Sequence, residues 1–369
     1  MRRDSLYVGI GGTSRRVSLA GNLIKPDESG LTRTVAALAD AEVLALEAVK
    51  GGGNNRVYGA ALADGRRVAA KCYPSQKEDP RDRLGVEFGG LGFLADQGVG
   101  SALPCPLAAD REAGVALYEW IEGEAVSATD PAARRPGDVD QALGLLAKLH
   151  ELRLTPGAKE LPPSSDPCFS GADLVAGIAG RRLRLGEVAE DNDSLRAFLS
   201  GKFDPALEEV TRRAAREYKA AGMDFDSAIP GRERTLSPSD FGFHNARRRE
   251  DGSLVFLDFE YFGWDDPAKL TADILMHPGM VLGAEEEANF REGLADIYRD
   301  DKTCGARLSA LWSLFGLRWC LILLNEFLPE RWFRRVYADG GRDRETVQAR
   351  QLDKSEAMLL RVEEGNDGI

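Results

Sequence analysis

Short alternating apolar runs dominate the first third of the chain, and helical spacing takes over after it. The stretch "VLALEAVKGGG" (43–53) reads as a strand running into a glycine turn. In "RVYGAALADGRRVAAKCY" (56–73) two alternating runs meet at Asp64-Gly65, a hairpin signal. Residues 82–98 carry apolar positions at helical intervals, although Gly85, Gly89, Gly90 and Gly92 weaken that helix. "GVALYEWIEGE" (114–124) is a strand with an extended exit, and "LTRTVAALADAEV" (31–43) a short helix. Beyond it, Val139–Arg153 has one clean apolar face, 155–171 is a Pro/Ser-rich loop, and Asp173–Ala221 is helical with a break near 190–194. Two short strands with a turn at Asp251-Gly252 follow. Helices fill the rest, and 361–369 reads as a charged tail. The order predicts an α+β, two-lobed protein: an extension of unknown role (1–40), a small β-rich lobe (41–118), a hinge (119–124) and a larger helical lobe (125–369), with a ligand cleft between the lobes.

Composition narrows the classes. A net charge of −12 over 369 residues lacks the cationic excess that a phosphate backbone rewards, so nucleic acid is not an expected partner. The five cysteines are scattered and form no C-x-x-C pair, which predicts reduced thiols without a disulfide framework or zinc site. The three histidines, His150, His244 and His277, are equally dispersed. The N-terminus has no apolar signal region. The most apolar run, Leu311–Leu328, includes Arg318, Asn325 and Glu326, which suits a buried helix better than a membrane span. A cytoplasmic protein without membrane insertion is the expectation. "GIGGTS" (9–14) lacks the rest of a phosphate-loop signature and reads as a flexible segment.

Candidate chemistry concentrates at three places. In "VKGGGNNRVY", Gly51, Gly52 and Gly53, followed by Asn54, allow backbone N–H groups to approach a phosphate; a plain hairpin turn is the competing reading. Lys71 sits in an apolar strand and needs a counter-charge, which Glu87 on the following helix can supply; otherwise Lys71 snorkels and Glu87 is a surface acid. "LSPSDFGFHN" (236–245) and "FLDFEY" (256–261) place Asp240, Asn245 and Asp258 in a D-x-x-x-x-N, turn, apolar-D-F pattern. Asp240 can orient a hydroxyl and take its proton late in a phosphoryl transfer, while Asn245 and Asp258 offer hard oxygen ligands for Mg2+. A loop cap and a strand-end turn are the bland alternatives.

Taken in order, "GGGNNRVY", Lys71, Glu87, "LYEWIEGE", "LAKLH", "SDFGFHN" and "LDFEYFGWDDP" resemble the aminoglycoside phosphotransferase and choline kinase superfamily over roughly residues 45–275. That resemblance implies a protein-kinase-like fold and a Mg2+-dependent phosphotransferase using ATP, with GTP as the alternative donor. It implies Asp240 as catalytic base, Asn245 and Asp258 as metal ligands, and Lys71 with its partner Glu87 at the phosphates. The glycine loop would cover the nucleotide, and the backbone of Glu119 and Ile121 would meet adenine. "DFEY" is similar to the choline and ethanolamine kinase branch. Three departures stand out. Pro238 occupies the place of the usual His before the catalytic Asp, Leu270 stands near that of a loop-anchoring Asp (Asp273 being nearest), and residues 1–40 have no counterpart.

The expected acceptor is a small polar molecule with a hydroxyl, and the residues do not select between a sugar, an amino sugar and an amino alcohol. Tyr261, Phe262, Trp264, Trp312, Trp319 and Trp332 could build a cation–π box, though Trp312 and Trp319 lie seven apart in an apolar helix, as core residues do. Glu260, Asp265 and Asp266 could meet an amine or hydroxyls. Two other readings stand beside a small-molecule kinase. A pseudokinase would bind nucleotide without turnover, and Pro238 favours it. A protein kinase would need an activation segment, which "DFEYFGWDDP" leaves little room for. Oligomeric state is left open.

Overall fold

The computed structural model describes residues 28–49, 56–74, 79, 81–332 and 343–364, together with the backbone of a small ribbon, β1 (Leu6–Val8) paired with β2 (Arg15–Val17). The glycine stretch Gly51, Gly52, Gly53 and Asn54, and the segment 9–14, lie outside the described residues. Helix α1 (Glu28–Ala39) leads into an antiparallel sheet of β3 (Val43–Ala48), β4 (Arg56–Leu62), β5 (Arg67–Cys72), β6 (Pro106–Asp110) and β7 (Val115–Glu119). The spatial order is β3-β4-β5-β7-β6. The Asp64-Gly65 turn is present, with Gly65 at φ +88°. β6 has no counterpart in the sequence reading, because "PLAAD" carries little strand propensity.

Alternation along the central strands explains how the sheet is covered. Val68, Ala70, Val115 and Leu117 face one way and pack on Leu31, Val35 and Ala39 of α1. Ala116 and Tyr118 face the other way, into the core shared with α2 (Arg83–Asp96) and the large lobe. Both faces are buried, so these strands read as nearly continuous apolar runs. The helix within the 1–40 segment therefore forms the outer layer of the small lobe. Helix α2 begins at Asp82, whose carboxylate accepts from Gly85 N–H at 3.0 Å. One of its glycines has a tertiary use: a Cβ on Gly90 would stand 2.6 Å from the ring of Phe262. Bare backbone there lets the helix lie directly on the segment that follows Asp258.

After β7 the chain passes through residues 120–123 and β8 (Glu124–Ala125) into the large lobe. Helix α3 (Asp138–Leu152) packs beside β9 (Thr235–Ser237). Helices α4 (Gly171–Ala189), α5 (Asp193–Phe198) and α6 (Asp204–Ala220) come next. The hairpin β10 (Ala246–Arg248) and β11 (Leu254–Phe256) turns at Gly252, φ +88°. β12 (Gly263–Asp265) pairs with β9, and α7 (Pro267–Met276), α8 (Ala284–Ile297), α9 (Cys304–Leu323) and α10 (Arg344–Glu364) complete the lobe. The chain thus has the α+β, two-lobed architecture that its patterning predicts.

Helix α9 is long and apolar enough to cross a membrane by length and composition, and it is instead surrounded by α4, α6, α7 and α10. Its two arginines are paired inside the protein: Arg307 with Asp266 and Asp301 at 2.8 and 2.6 Å, and Arg318 with Asp166 and Asp273, both at 2.8 Å. Buried charges held this way need no solvent. All five cysteines are free.

Candidate active site

Two clusters face the cleft between the lobes. The first forms around Lys71 on β5. Its neighbour across the sheet is Ala116, and the pleat turns Lys71 away from α1. Lys71 Nζ donates to Glu87 on α2 at 2.6 Å and to Asp258 at 2.5 Å, with Glu260 at 3.9 Å. Burial works against the ammonium, but the carboxylates of Asp258, Glu87 and Glu260 outweigh it and hold its pKa well above the usual lysine value. Burial also pushes the Glu87 carboxyl up, to about 7, against the pull of Lys71. Glu87 accepts further from Tyr73 O–H at 2.7 Å and from Phe259 N–H at 3.2 Å. Tyr73 in turn bonds Tyr118 at 2.6 Å, so the strand entering the hinge is wired to the ion pair.

Asp258 sits at φ +68°, a left-handed turn that asparagine and aspartate tolerate better than most residues. That turn aims its carboxylate at Lys71, while the next carboxylate, Glu260, is enclosed. Glu260 is fully buried and accepts from Arg83 at 2.7 Å, and Arg83 also reaches Asp79 at 2.5 Å. Tyr73, Arg83 and Asp79 were not legible as site residues. They stand in unremarkable sequence, and only the fold brings them to Glu87 and Glu260.

The second cluster forms around Asp240, just past β9. Ser239 adopts φ +66°, its N–H donates to Ser237 Oγ at 3.0 Å, and Asp240 N–H donates to the Pro238 carbonyl at 2.9 Å. This tight turn presents the Asp240 side chain to the cleft, a third of it exposed at 33%. One oxygen, Oδ1, lies 3.0 Å from His244 Nε2 and 3.1 Å from His277 Nε2. Burial alone would raise its pKa; the hydrogen bonds from the two imidazoles win and hold the carboxyl far below the ordinary range. Neither histidine was singled out from sequence. His244 sits inside the quoted motif, but His277, at the end of α7, has no sequence signal linking it to Asp240.

Asn245 joins the two clusters. Its Nδ2 donates to the Asp240 carbonyl at 2.9 Å, and its backbone carbonyl accepts from Leu257 N–H, beside Asp258, at 2.7 Å. The side-chain amide is thereby oriented with its nitrogen inward, which leaves Oδ1 as the available oxygen. With the second oxygen of Asp258, this donor set suits a hard cation.

At the end of β7, Glu119 N–H bonds the Cys105 carbonyl at 2.8 Å, and its carboxylate pairs with Arg249 of the β10–β11 hairpin at 2.9 Å. Glu119 thus ties the connection to the large lobe. Ile121, two residues on, is buried. A cavity of about 660 Å3 opens beside this connection, lined by Glu119, Trp120, Arg135, Arg248 and Arg249 among others.

The aromatic residues do not form one box. Trp264 Nε1 donates to the Ala158 carbonyl at 2.9 Å, Arg291 covers Trp312, and Arg344 covers Trp332. Trp319 meets the Asp240 cluster, edge-on to His277 with centroids 4.9 Å apart, while Tyr261 lies beside Arg83 of the other cluster. Asp265 and Asp266 are buried and committed, Asp265 to Ser164 and Lys269 at 2.8 and 2.7 Å, Asp266 to Arg307. Asp273 engages Lys269 and Arg318.

A small lobe of sheet and two helices, an enclosed lysine–glutamate pair, and an Asp–Asn–Asp set on the large lobe define the protein-kinase-like class. The profile of the phosphotransferase enzyme family matches residues 45–310, and the chain belongs to that family. The fold is similar to that of ethanolamine kinase from Plasmodium vivax (15% identity, TM-score 0.57, 90% of each chain covered). Choline kinase from Streptococcus pneumoniae is similar as well (17% identity, TM-score 0.57, 90% of this chain and 99% of that one). So is a spectinomycin phosphotransferase solved with ADP and spectinomycin (13% identity, TM-score 0.59, 91% and 98% covered). No protein of curated function matches the sequence.

Proposed function

We propose that this protein is a Mg2+- and ATP-dependent phosphotransferase that acts on a hydroxyl of a small polar molecule. The observation that carries this reading is Asn245: its side-chain Nδ2 holds the Asp240 carbonyl, its backbone carbonyl holds Leu257 N–H beside Asp258, and its Oδ1 is left as the available oxygen. Lys71 meets the nucleotide phosphates, and Glu87 keeps it extended into the cleft. Asn245 and Asp258 would hold Mg2+, which would supply neutralisation of the phosphate charge when bound. Asp240 accepts a hydrogen bond from the acceptor hydroxyl, orients it, and takes its proton late, as the new O–P bond forms and the γ-phosphorus leaves the β,γ-bridging oxygen, releasing ADP. A carboxylate with a very low pKa is a weak base, so its main contribution is orientation. The backbone of Glu119 and Ile121 supplies the adenine contacts, and Gly51, Gly52, Gly53 and Asn54 cover the phosphates. GTP is the alternative donor, and the cytoplasm is the compartment that suits this chemistry.

The acceptor class follows the family neighbours, whose names include ethanolamine, choline and spectinomycin: amino alcohols, amino sugars and sugars. The test is coupled ADP release with Mg-ATP over a panel of those compounds, with Asp240→Ala as control. Acceptor-dependent turnover, lost in the variant, supports the reading. Pro238 at the usual histidine position favours a second reading, a nucleotide-binding regulatory module. Tight Mg-ATP binding by calorimetry, without turnover on any acceptor, would favour that module.

A further inference from the structure

We infer that His244 and His277 act together as positioning residues for Asp240, each presenting Nε2–H to the same carboxylate oxygen, Oδ1, so that Oδ2 is the oxygen that meets the acceptor hydroxyl. This rests on the proposed phosphotransferase role of Asp240 for its catalytic meaning, but the hydrogen-bond arrangement stands on its own. Pro238 has no side-chain donor, and these two imidazoles do the bracing that the position before Asp240 cannot.

Four observations carry it. Both Nε2 atoms lie at ordinary hydrogen-bond distance from Oδ1, 3.0 and 3.1 Å, and one carboxylate oxygen has lone pairs for two donors. The tautomer of His277 is assigned by its other nitrogen: Gly279 N–H donates to Nδ1 at 3.2 Å, so Nδ1 is the acceptor and the hydrogen is on Nε2. The rings stack in parallel, with centroids 4.2 Å apart and planes 7° from coplanar, and Trp319 buttresses His277 edge-on. The chain also makes room for this stack. A Cβ on Gly242 would stand 2.9 Å from both His244 Nδ1 and the Met280 sulfur, so the glycine in "DFGFH" lets the His244 ring fold back toward Asp240.

The same three side chains have the spacing of a cation site, their ligand atoms all within 4.8 Å of one another. Metal binding requires a bare Nε2 on His277 and moves the hydrogen to Nδ1, where the Gly279 N–H already points. At His277 the hydrogen-bonded brace fits the surroundings and the metal site does not. The brace works by donating hydrogen bonds and requires no change of charge.

The chain has only three histidines, which makes the experiment direct. Long-range 15N–1H correlation spectra of the full-length protein report the tautomer of each ring, with His244→Phe and His277→Phe assigning the signals. Nε2–H forms for both rings, unchanged by added Zn2+ or Mn2+, are the expected result. An Nδ1–H form for either ring, or metal-induced shifts of both, overturns the brace. This measurement needs no acceptor, so it decides the brace even if no phosphotransfer is found. Given an acceptor, either Phe variant should lower kcat about 10- to 100-fold with the KM for ATP held within about two-fold. His244→Gln and His277→Gln, which keep an N–H at similar reach, should recover most of the loss. Unchanged kcat in folded Phe variants, checked by circular dichroism, also overturns it, as does equal loss in the Gln variants.

Discussion

The two clusters in the cleft hold their carboxylates by opposite means. Around Lys71 most of the charges are enclosed: its side chain is 9% exposed, Glu87 4% and Glu260 not at all, while Asp258 opens to the cleft at 32%. Around Asp240 the carboxylate is a third exposed and is held by imidazole N–H groups. Enclosed ions stabilise one another only as a set, because removing one strands the rest in a low-dielectric interior. A partly exposed carboxylate held by neutral donors can be removed without stranding a charge in the interior. One cluster therefore couples chemistry to stability, and the other separates them.

Asp240→Ala breaks that comparison most sharply. It should lower turnover by about 10^2- to 10^4-fold, while the melting temperature and Mg-ATP affinity stay near the parent values; coupled ADP release, thermal melting and calorimetry read the three. Lys71→Met is the counterpart. It leaves Glu87, Asp258 and Glu260 without their shared cation and should cost about 3–5 kcal/mol of stability, read in urea unfolding, together with loss of nucleotide binding. Gly90→Leu acts between the two, on the packing of α2 against Phe262. Forcing a side chain into that contact should cost roughly 1–3 kcal/mol and weaken ATP binding by shifting Glu87, which denaturation and calorimetry would show. A melt as firm as the parent's would show that α2 can ride off Phe262.

The smallest effect is a pH dependence at His150, which ties α3 to β9, the strand that leads into the Asp240 turn. His150 Nδ1 bonds Thr235 Oγ1 at 3.1 Å. Burial, with Arg153 adding to it, lowers its pKa to about 4 from the ordinary 6.5. Between those values the unfolded chain takes up a proton that the folded chain does not. This contribution is therefore complete above about pH 6.5 and is lost as pH falls toward about 4. Melting temperatures across that window should slope downward toward acid, and His150→Phe should flatten the slope. A slope unchanged by the substitution would assign the acid sensitivity to other groups.

Much of this molecule was legible along the chain. Alternation located β3, β4, β5 and β7, and Asp64-Gly65 marked a hairpin. Helical spacing located α2, α3 and α9, and the order of Lys71, Glu87, Asp240, Asn245 and Asp258 pointed to phosphotransfer. These are local patterns or fixed spacings, and the chain displays them wherever it folds. What stayed hidden depends on contacts between distant segments. Strand β6 is carried by pairing with β7 rather than by propensity. Helix α1 takes its role from the sheet face it covers. Gly90 weakens α2 as a helix and suits it as a packing surface.

Sequence alone determined the two-lobed α+β order and the identities of the lysine suited to a phosphate and of the carboxylates and amide suited to a hydroxyl and a hard cation, because those rest on period, turn chemistry and side-chain type. Tertiary structure alone decided that Glu260, Asp265 and Asp266 are interior ions, that the tryptophans are dispersed, and that His277 lies beside Asp240. Burial and hydrogen-bond partners are set by where far-apart elements meet, and no spacing along the chain records that meeting. The missing histidine at Pro238 read as a loss. The fold supplies two others at the carboxylate itself.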